Sequence, residues 1–142
     1  AVDAEIGIPY QKLMALGEES LSRQEAVARA ACQLTEGMGA SAIITCTQSG
    51  STSQLVAMHR PRQVLLAMTP SSETLRRLAL IWGVVPMLIE ASNNQEELEA
   101  RAVALALEAG HVRTGDTVVI TAGLPLHVTG TTNSIKALMV GG

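Results

Sequence analysis

The stretch Gly39-Ala-Ser-Ala-Ile-Ile-Thr-Cys-Thr-Gln-Ser-Gly50 contains a change of structural period. Ser41 to Cys46 is a short apolar run in which Ile43 and Ile44 are adjacent rather than alternating with polar residues. That pattern predicts a strand buried on both faces. Thr47 to Thr52 is polar and predicts a loop. Ser53 to His59 predicts a short helix, which Pro61 stops because proline cannot donate to a helical hydrogen bond. A strand covered on both faces, followed by a helix, implies an α/β sheet with helices on each side.

The same unit repeats outward along the chain. Upstream, Ser22-Arg-Gln-Glu25 reads as a capping box, in which hydroxyl and carboxylate satisfy each other's backbone N–H groups. A helix is expected from there to about Glu36, with Ala26, Ala30 and Leu34 as its apolar stripe and Gly37 and Gly39 ending it. Residues 1–19, interrupted by Gly7, Pro9 and Gly17, read as a lead-in, and 20–142 as the domain proper. The chain opens at Ala1 without a Met, as a processed product or an excised fragment would.

Downstream, Val64 to Met68 predicts a second strand, closed by Thr69-Pro70. Ser71 or Ser72 caps a helix with Leu75, Leu78, Ala79 and Trp82 at helical spacing, so Trp82 is expected in the core and Gly83 at the helix end. Val84 to Ile89 is a third strand. Asn93 or Asn94 caps the longest helix, with Glu96 or Glu97 completing the box and Leu98, Ala102, Leu105 and Ala109 on its buried face. Gly110 terminates it. Gly115-Asp116 turns into a fourth strand, Thr117 to Thr121, and a Gly- and Thr-rich loop leads to a last strand, Ser134 to Val140. Strands that alternate with helices run parallel through right-handed crossovers. The last connection is too short for a helix, so the final strand is expected to be antiparallel and at the edge of the sheet.

Composition narrows the function. At 142 residues the chain fits one domain large enough to need no disulfide or metal staple. With one Trp, one Tyr and no Phe, aliphatic side chains must fill the core. A formal charge of −3 and no basic run argue against nucleic acid as a partner, since that needs clustered cations. No apolar stretch approaches the ~20 residues of a membrane span. Cys32 and Cys46 form no CxxC and read as small core residues, which fits a reducing cytoplasm. No Cys/His cluster has metal-ligand spacing, no GxSxG elbow is present, and no acidic pair is placed for acid–base work. None of these patterns points to a metal site, a cofactor or a catalytic residue in this chain, although the fold class alone leaves a small nucleotide- or flavin-using enzyme open.

Two loops carry what chemistry there is. Thr47-Gln48-Ser49-Gly50-Ser51-Thr52 lies between a strand and a helix start, where free N–H groups and the helix dipole favour an anion. It is neither a Walker loop nor GxGxxG. The plainer alternative is a turn whose Ser or Thr simply caps the helix. Gly123-Leu-Pro-Leu-His-Val-Thr-Gly-Thr-Thr-Asn133 also leaves the carboxyl end of a strand, and ligands of open α/β sheets bind at such ends. His127, Thr129, Thr131 and Thr132 have the chemistry to contact phosphate or ribose. The alternative is a long loop stiffened by turn residues. His59-Arg60-Pro61-Arg62 reads as an anion site or, more plainly, as a solvated turn, and His111 as an exposed residue past its helix.

In combination these segments resemble the C-terminal domain of pyruvate kinases. The resemblance rests on Gly39 to Gly50, on Arg60-Pro-Arg62 with its strand and Thr69-Pro70, on Thr74-Leu-Arg-Arg-Leu-Ala-Leu-Ile-Trp-Gly-Val-Val-Pro86, and on Gly115-Asp-Thr-Val-Val-Ile-Thr-Ala-Gly123 with Gly130-Thr-Thr-Asn133. It implies a three-layer α/β/α domain with a mixed five-stranded sheet whose last strand is antiparallel. It also implies an effector site in which Thr47, Gln48, Ser49, Gly50, Ser51 and Thr52 cradle a phosphate and Gly123, His127, Thr129, Gly130 and Thr131 close over it. Family effectors include fructose 1,6-bisphosphate, other sugar phosphates and AMP. The family is usually tetrameric, which makes Ser134 to Val140 a pairing surface, with Lys136 discouraging unspecific pairing.

The sequence departs from some relatives. Gln48 and Ser51 stand where those carry basic residues, and Leu124 to Leu126 lacks their Trp-Arg pair, so a monophosphate suits the loop better than a bisphosphate. The catalytic barrel with its Mg and K sites has no counterpart in this chain, so no kinase activity is expected of it alone. Two other readings stay open: an oligomerisation domain with a vestigial phosphate site, and a stand-alone module of the same fold.

Overall fold

A computed structural model describes residues 23–122 and 134–141. The lead-in, Ser22 of the expected capping box and the whole segment 123–133 lie outside the described residues. The elements follow the order α1 (Arg23–Met38), β1 (Ala42–Cys46), α2 (Ser51–Met58), β2 (Val64–Thr69), α3 (Ser72–Leu78), β3 (Val84–Leu88), α4 (Gln95–Glu108), β4 (Thr117–Ala122) and β5 (Ser134–Met139).

The five strands form one sheet in the order β3-β2-β1-β4-β5. The first four are parallel, and β5 runs antiparallel to β4 with Lys136 opposite Ile120. This is the mixed five-stranded, three-layer α/β/α fold expected from the sequence. All five residues of β1 are buried, because it is the central strand and covered on both sides. Its side chains alternate between two cores. Ala42, Ile44 and Cys46 join Leu66, Met68 and Ile120 against Leu98, Ala102 and Ala106 of α4. Ile43 packs with Leu65 against Ala28 of α1 and Val56 of α2, and Val119 against Ala31. Alanine at these helix positions leaves only a methyl between helix and sheet. The layers then close without aromatic side chains.

Three local expectations are corrected. The buried face of α1 is Ala28, Ala31 and Thr35; Ala26 is exposed and Leu34 only half-buried. Four alanines spread around this helix, so no bulky residue fixes its face from sequence alone. On α4, Leu98 and Ala102 are buried as expected, but Ala109 is exposed and Glu99 and Ala106 are buried instead. The largest correction is Trp82, which is 81% exposed. Helix α3 stops at Leu78, and the chain continues through tight turns in which Leu80 N donates to Arg77 O and Ile81 N to Leu78 O. Trp82 therefore stands on a turn rather than on a helix face, with the Arg60 guanidinium 5.7 Å from its ring centroid. Arg62 pairs with Glu36. The His59–Arg62 segment is thus an exposed turn whose cations are already engaged. His111 is exposed, as read.

Both cysteines are free. Burial, and secondarily the Glu99 charge, pushes the Cys46 thiol up to about 12; burial raises Cys32 to about 11. Neither thiol should react with a thiolate-selective disulfide reagent in the native chain at pH 8, and both should react in denaturant. The folded state holds these protons more tightly than the unfolded chain. Stability should therefore fall as pH climbs above the ordinary thiol value of ~8.5. A fast native thiol at pH 8 would contradict this placement.

Candidate functional site

The strand order reverses at β1. The chain moves from β1 to β2 to β3, then α4 returns it across the other face to β4 on the far side of β1. Thr45 and Thr121 are ladder partners at the carboxyl ends of β1 and β4. The turn after β1 thus starts beside the carboxyl end of β4. Such a switch point opens a crevice.

The turn Thr47–Thr52 stands at this switch point, and its geometry is set from within. Thr47 N donates to Met68 O at 2.9 Å, tying the turn to β2. Gly50 N donates to Thr47 Oγ1 at 2.8 Å. Gly50 is left-handed, with φ 88°, and forms the N-cap of α2. The plainer sequence reading, a Ser or Thr N-cap, is therefore not what the helix uses. Ser51 N donates to Ser49 Oγ at 3.3 Å, and the two serine hydroxyls lie 3.0 Å apart. The expected helix start at Ser53 moves to Ser51, so Ser51 and Thr52 belong to the first turn of α2.

The hydroxyls of the turn are not equivalent. Thr47 and Thr52 are buried, whereas Gln48, Ser49 and Ser51 are half-buried. Behind them, Ser53 and Thr45 share a hydrogen bond of 2.6 Å between buried hydroxyls. Thr121 Oγ1 is buried and has no hydrogen-bond partner among the described residues.

Helix α3 braces the turn, which sequence reasoning missed. Thr74 Oγ1 donates to Gln48 O at 2.8 Å. Arg77 Nη2 donates to Thr74 Oγ1 at 3.1 Å and to Ser49 O at 3.5 Å. The only local signal was spacing: Ser71 as cap, Thr74 in the first turn, Arg77 one turn on. Contact with a turn 26 residues away in sequence is tertiary and leaves no local pattern.

Gly123, His127, Thr129, Gly130, Thr131 and Thr132 lie outside the described residues. Their flanks are described: Ala122 and Ser134 face each other in the β4–β5 ladder, and Ser134 Oγ donates to Ala122 O at 2.7 Å. Gln95 Nε2 of α4 reaches both Ser134 Oγ (3.2 Å) and Glu99 Oε2 (2.8 Å), and Lys136 Nζ donates to Glu99 Oε1 at 3.2 Å. Among the described residues no three His, Cys, Asp or Glu side chains converge as a metal site, and no helix is long and apolar enough to cross a membrane.

The strand order and its reversal at β1 define a doubly wound α/β domain. Residues 25–138 match the family model described as pyruvate kinase, alpha/beta domain, and the chain belongs to that family. It is 41% identical over 142 residues to a pyruvate kinase of Clostridium acetobutylicum, covering 99% of this chain and 30% of that protein. It is 39% identical over 145 residues to a pyruvate kinase of Staphylococcus aureus, covering 99% of this chain and 24% of that protein. The chain thus spans between 24% and 30% of the length of these relatives.

Proposed function

We propose that this chain is the regulatory and assembly domain of a cytoplasmic pyruvate kinase. In this reading the turn Thr47–Thr52 takes the phosphate of a monophosphorylated effector, a sugar phosphate or AMP, and the segment 123–133 closes over it. The observation that carries it is the turn's position: half-buried serine hydroxyls and the start of α2 stand together at the switch point of the sheet. The positive end of a helix dipole favours an anion. The parent enzyme would transfer the phosphoryl group of phosphoenolpyruvate to ADP in glycolysis, with Mg and K in its separate catalytic domain. This chain would contribute control and contacts, and no catalytic group.

The β5 edge supports the assembly half of the reading. Ala137 and Met139 are exposed along a strand paired on one side only. A second copy could pair there through backbone groups. Sedimentation should then show a concentration-dependent dimer, and Ala137→Pro should abolish it by disrupting β5 backbone pairing. Monomer at all concentrations would remove this half.

The effector half is tested by melting the chain with glucose 6-phosphate, ribose 5-phosphate, AMP and fructose 1,6-bisphosphate, using inorganic phosphate as control. A ligand of the folded state raises stability by about 1.4 kcal/mol at tenfold excess over Kd. Ser49→Ala should weaken binding about tenfold or more by removing one hydrogen bond to a charged group. Absence of any shift would leave an assembly domain with a vestigial turn.

A further inference from the structure

The turn Thr47–Thr52 contains no basic residue, yet a phosphate brings about two negative charges at neutral pH. Helix α3 supplies a cation from outside the turn. Ser71 Oγ accepts from Thr74 N at 3.1 Å, which starts the helix and sets Thr74 against the turn. The single proton of the Thr74 hydroxyl goes to Gln48 O, leaving its lone pairs to accept from Arg77. Thr74 is 2% exposed, so this bracket is held by packing as well as by hydrogen bonds. Arg77 uses Nη2 for Thr74 and Ser49, and among the described residues no carboxylate pairs with it. Among the described residues the rest of its fork of donors has no partner.

A second feature concerns the same end of the sheet. Thr121 is the ladder partner of Thr45, so both side chains face the layer of α2, whose Ser53 bonds Thr45. Thr121 is 0% exposed, and among the described residues its hydroxyl has no partner. A buried hydroxyl without a partner costs stability unless something satisfies it.

Resting on the effector-site reading above, we propose that Arg77 is the specificity-determining cation of that site. It takes the phosphate group of a phosphomonoester, and Thr74 positions it by fixing the guanidinium against the turn. One cation hydrogen-bonded to the turn matches one phosphate. A planar fork suits its oxygens better than a point charge does.

The test is calorimetric titration of the full 142-residue chain with glucose 6-phosphate and with inorganic phosphate, at low and moderate salt. Arg77→Gln should weaken binding about tenfold or more and remove most of the salt dependence, since the screened charge pair is gone. Arg77→Lys should fall between the two, and Arg76→Gln should stay within about twofold of the parent because its neighbour, not it, bonds the turn. Unchanged affinity and salt dependence in Arg77→Gln, alongside weakened binding in Ser49→Ala, would overturn the proposal and leave the turn site intact. A parent chain that binds neither probe at millimolar concentration would overturn the turn site and Arg77 with it.

Discussion

Gly50→Val is expected to destabilise the domain by about 3 kcal/mol, to lower its melting temperature by about 10 °C, and to abolish any response to phosphate. Two penalties combine. Gly50 holds φ 88°, where an L side chain costs about 1–2 kcal/mol and a β-branched one more. A Cβ at this position would also meet Leu78 Cδ2 at 3.1 Å and Thr74 Cγ2 at 3.3 Å. Those atoms belong to buried residues of α3, so they cannot swing into solvent. The chain's response is to move the turn away from α3. That movement breaks the Gly50 N–H bond to Thr47 and the bracket from Thr74 to Gln48.

The molecule supplies its own control. Gly83 has nearly the same backbone, with φ 87°, but a Cβ there meets nothing within 4 Å. Gly83→Ala therefore carries the backbone cost alone, about 1–2 kcal/mol, while Gly50→Ala carries the backbone cost plus crowding. Urea melts of the two alanine variants separate the terms. Equal losses at the two sites would show that α3 yields freely and does not hold the turn.

The contrast between these glycines also marks what could be read from the sequence. Each strand was legible within a residue or two. Adjacent isoleucines and valines such as Ile43-Ile44 and Val118-Val119 have one explanation, burial on both faces. The antiparallel β5 followed from a connection too short for a helix. The turn at Thr47–Thr52 was legible because hydroxyls and a glycine sit between two clear elements. The register of α1 was not, because alanines at positions 26, 28, 30 and 31 permit more than one buried face. Trp82 misled because size predicts burial only while the helix continues, and nothing local shows that it stops at Leu78. Arg77 was invisible for another reason: its role depends on the distance from α3 to the turn, which only the packed sheet fixes.

Lys136→Met is expected to cost about 2 kcal/mol, and adding Glu99→Leu to recover most of it. The side chain of Glu99 is only 7% exposed, whereas that of Lys136 is 45% exposed. Exposed pairs contribute roughly 0–1 kcal/mol, and removing one partner of a buried pair costs about 3–5, so this half-buried pair belongs between them. The Glu99 charge is felt inside the core, since it contributes to the raised Cys46 thiol. Without Lys136 the carboxylate keeps Gln95 Nε2 but has no counter-charge. Replacing both residues by apolar ones removes the uncompensated charge and fills the same space. A double-mutant cycle measured by urea denaturation gives the coupling directly. Lys136 was expected from sequence to guard the β5 edge against unspecific pairing. Its position opposite Ile120 also turns it toward α4, where it pairs with Glu99. If Lys136→Met costs less than about 0.5 kcal/mol, the pair behaves as an ordinary surface contact. The network through Gln95 to Ser134 would then stand without its cation. If the loss is full but Glu99→Leu does not restore it, the lysine stem contributes by packing against the sheet rather than by charge.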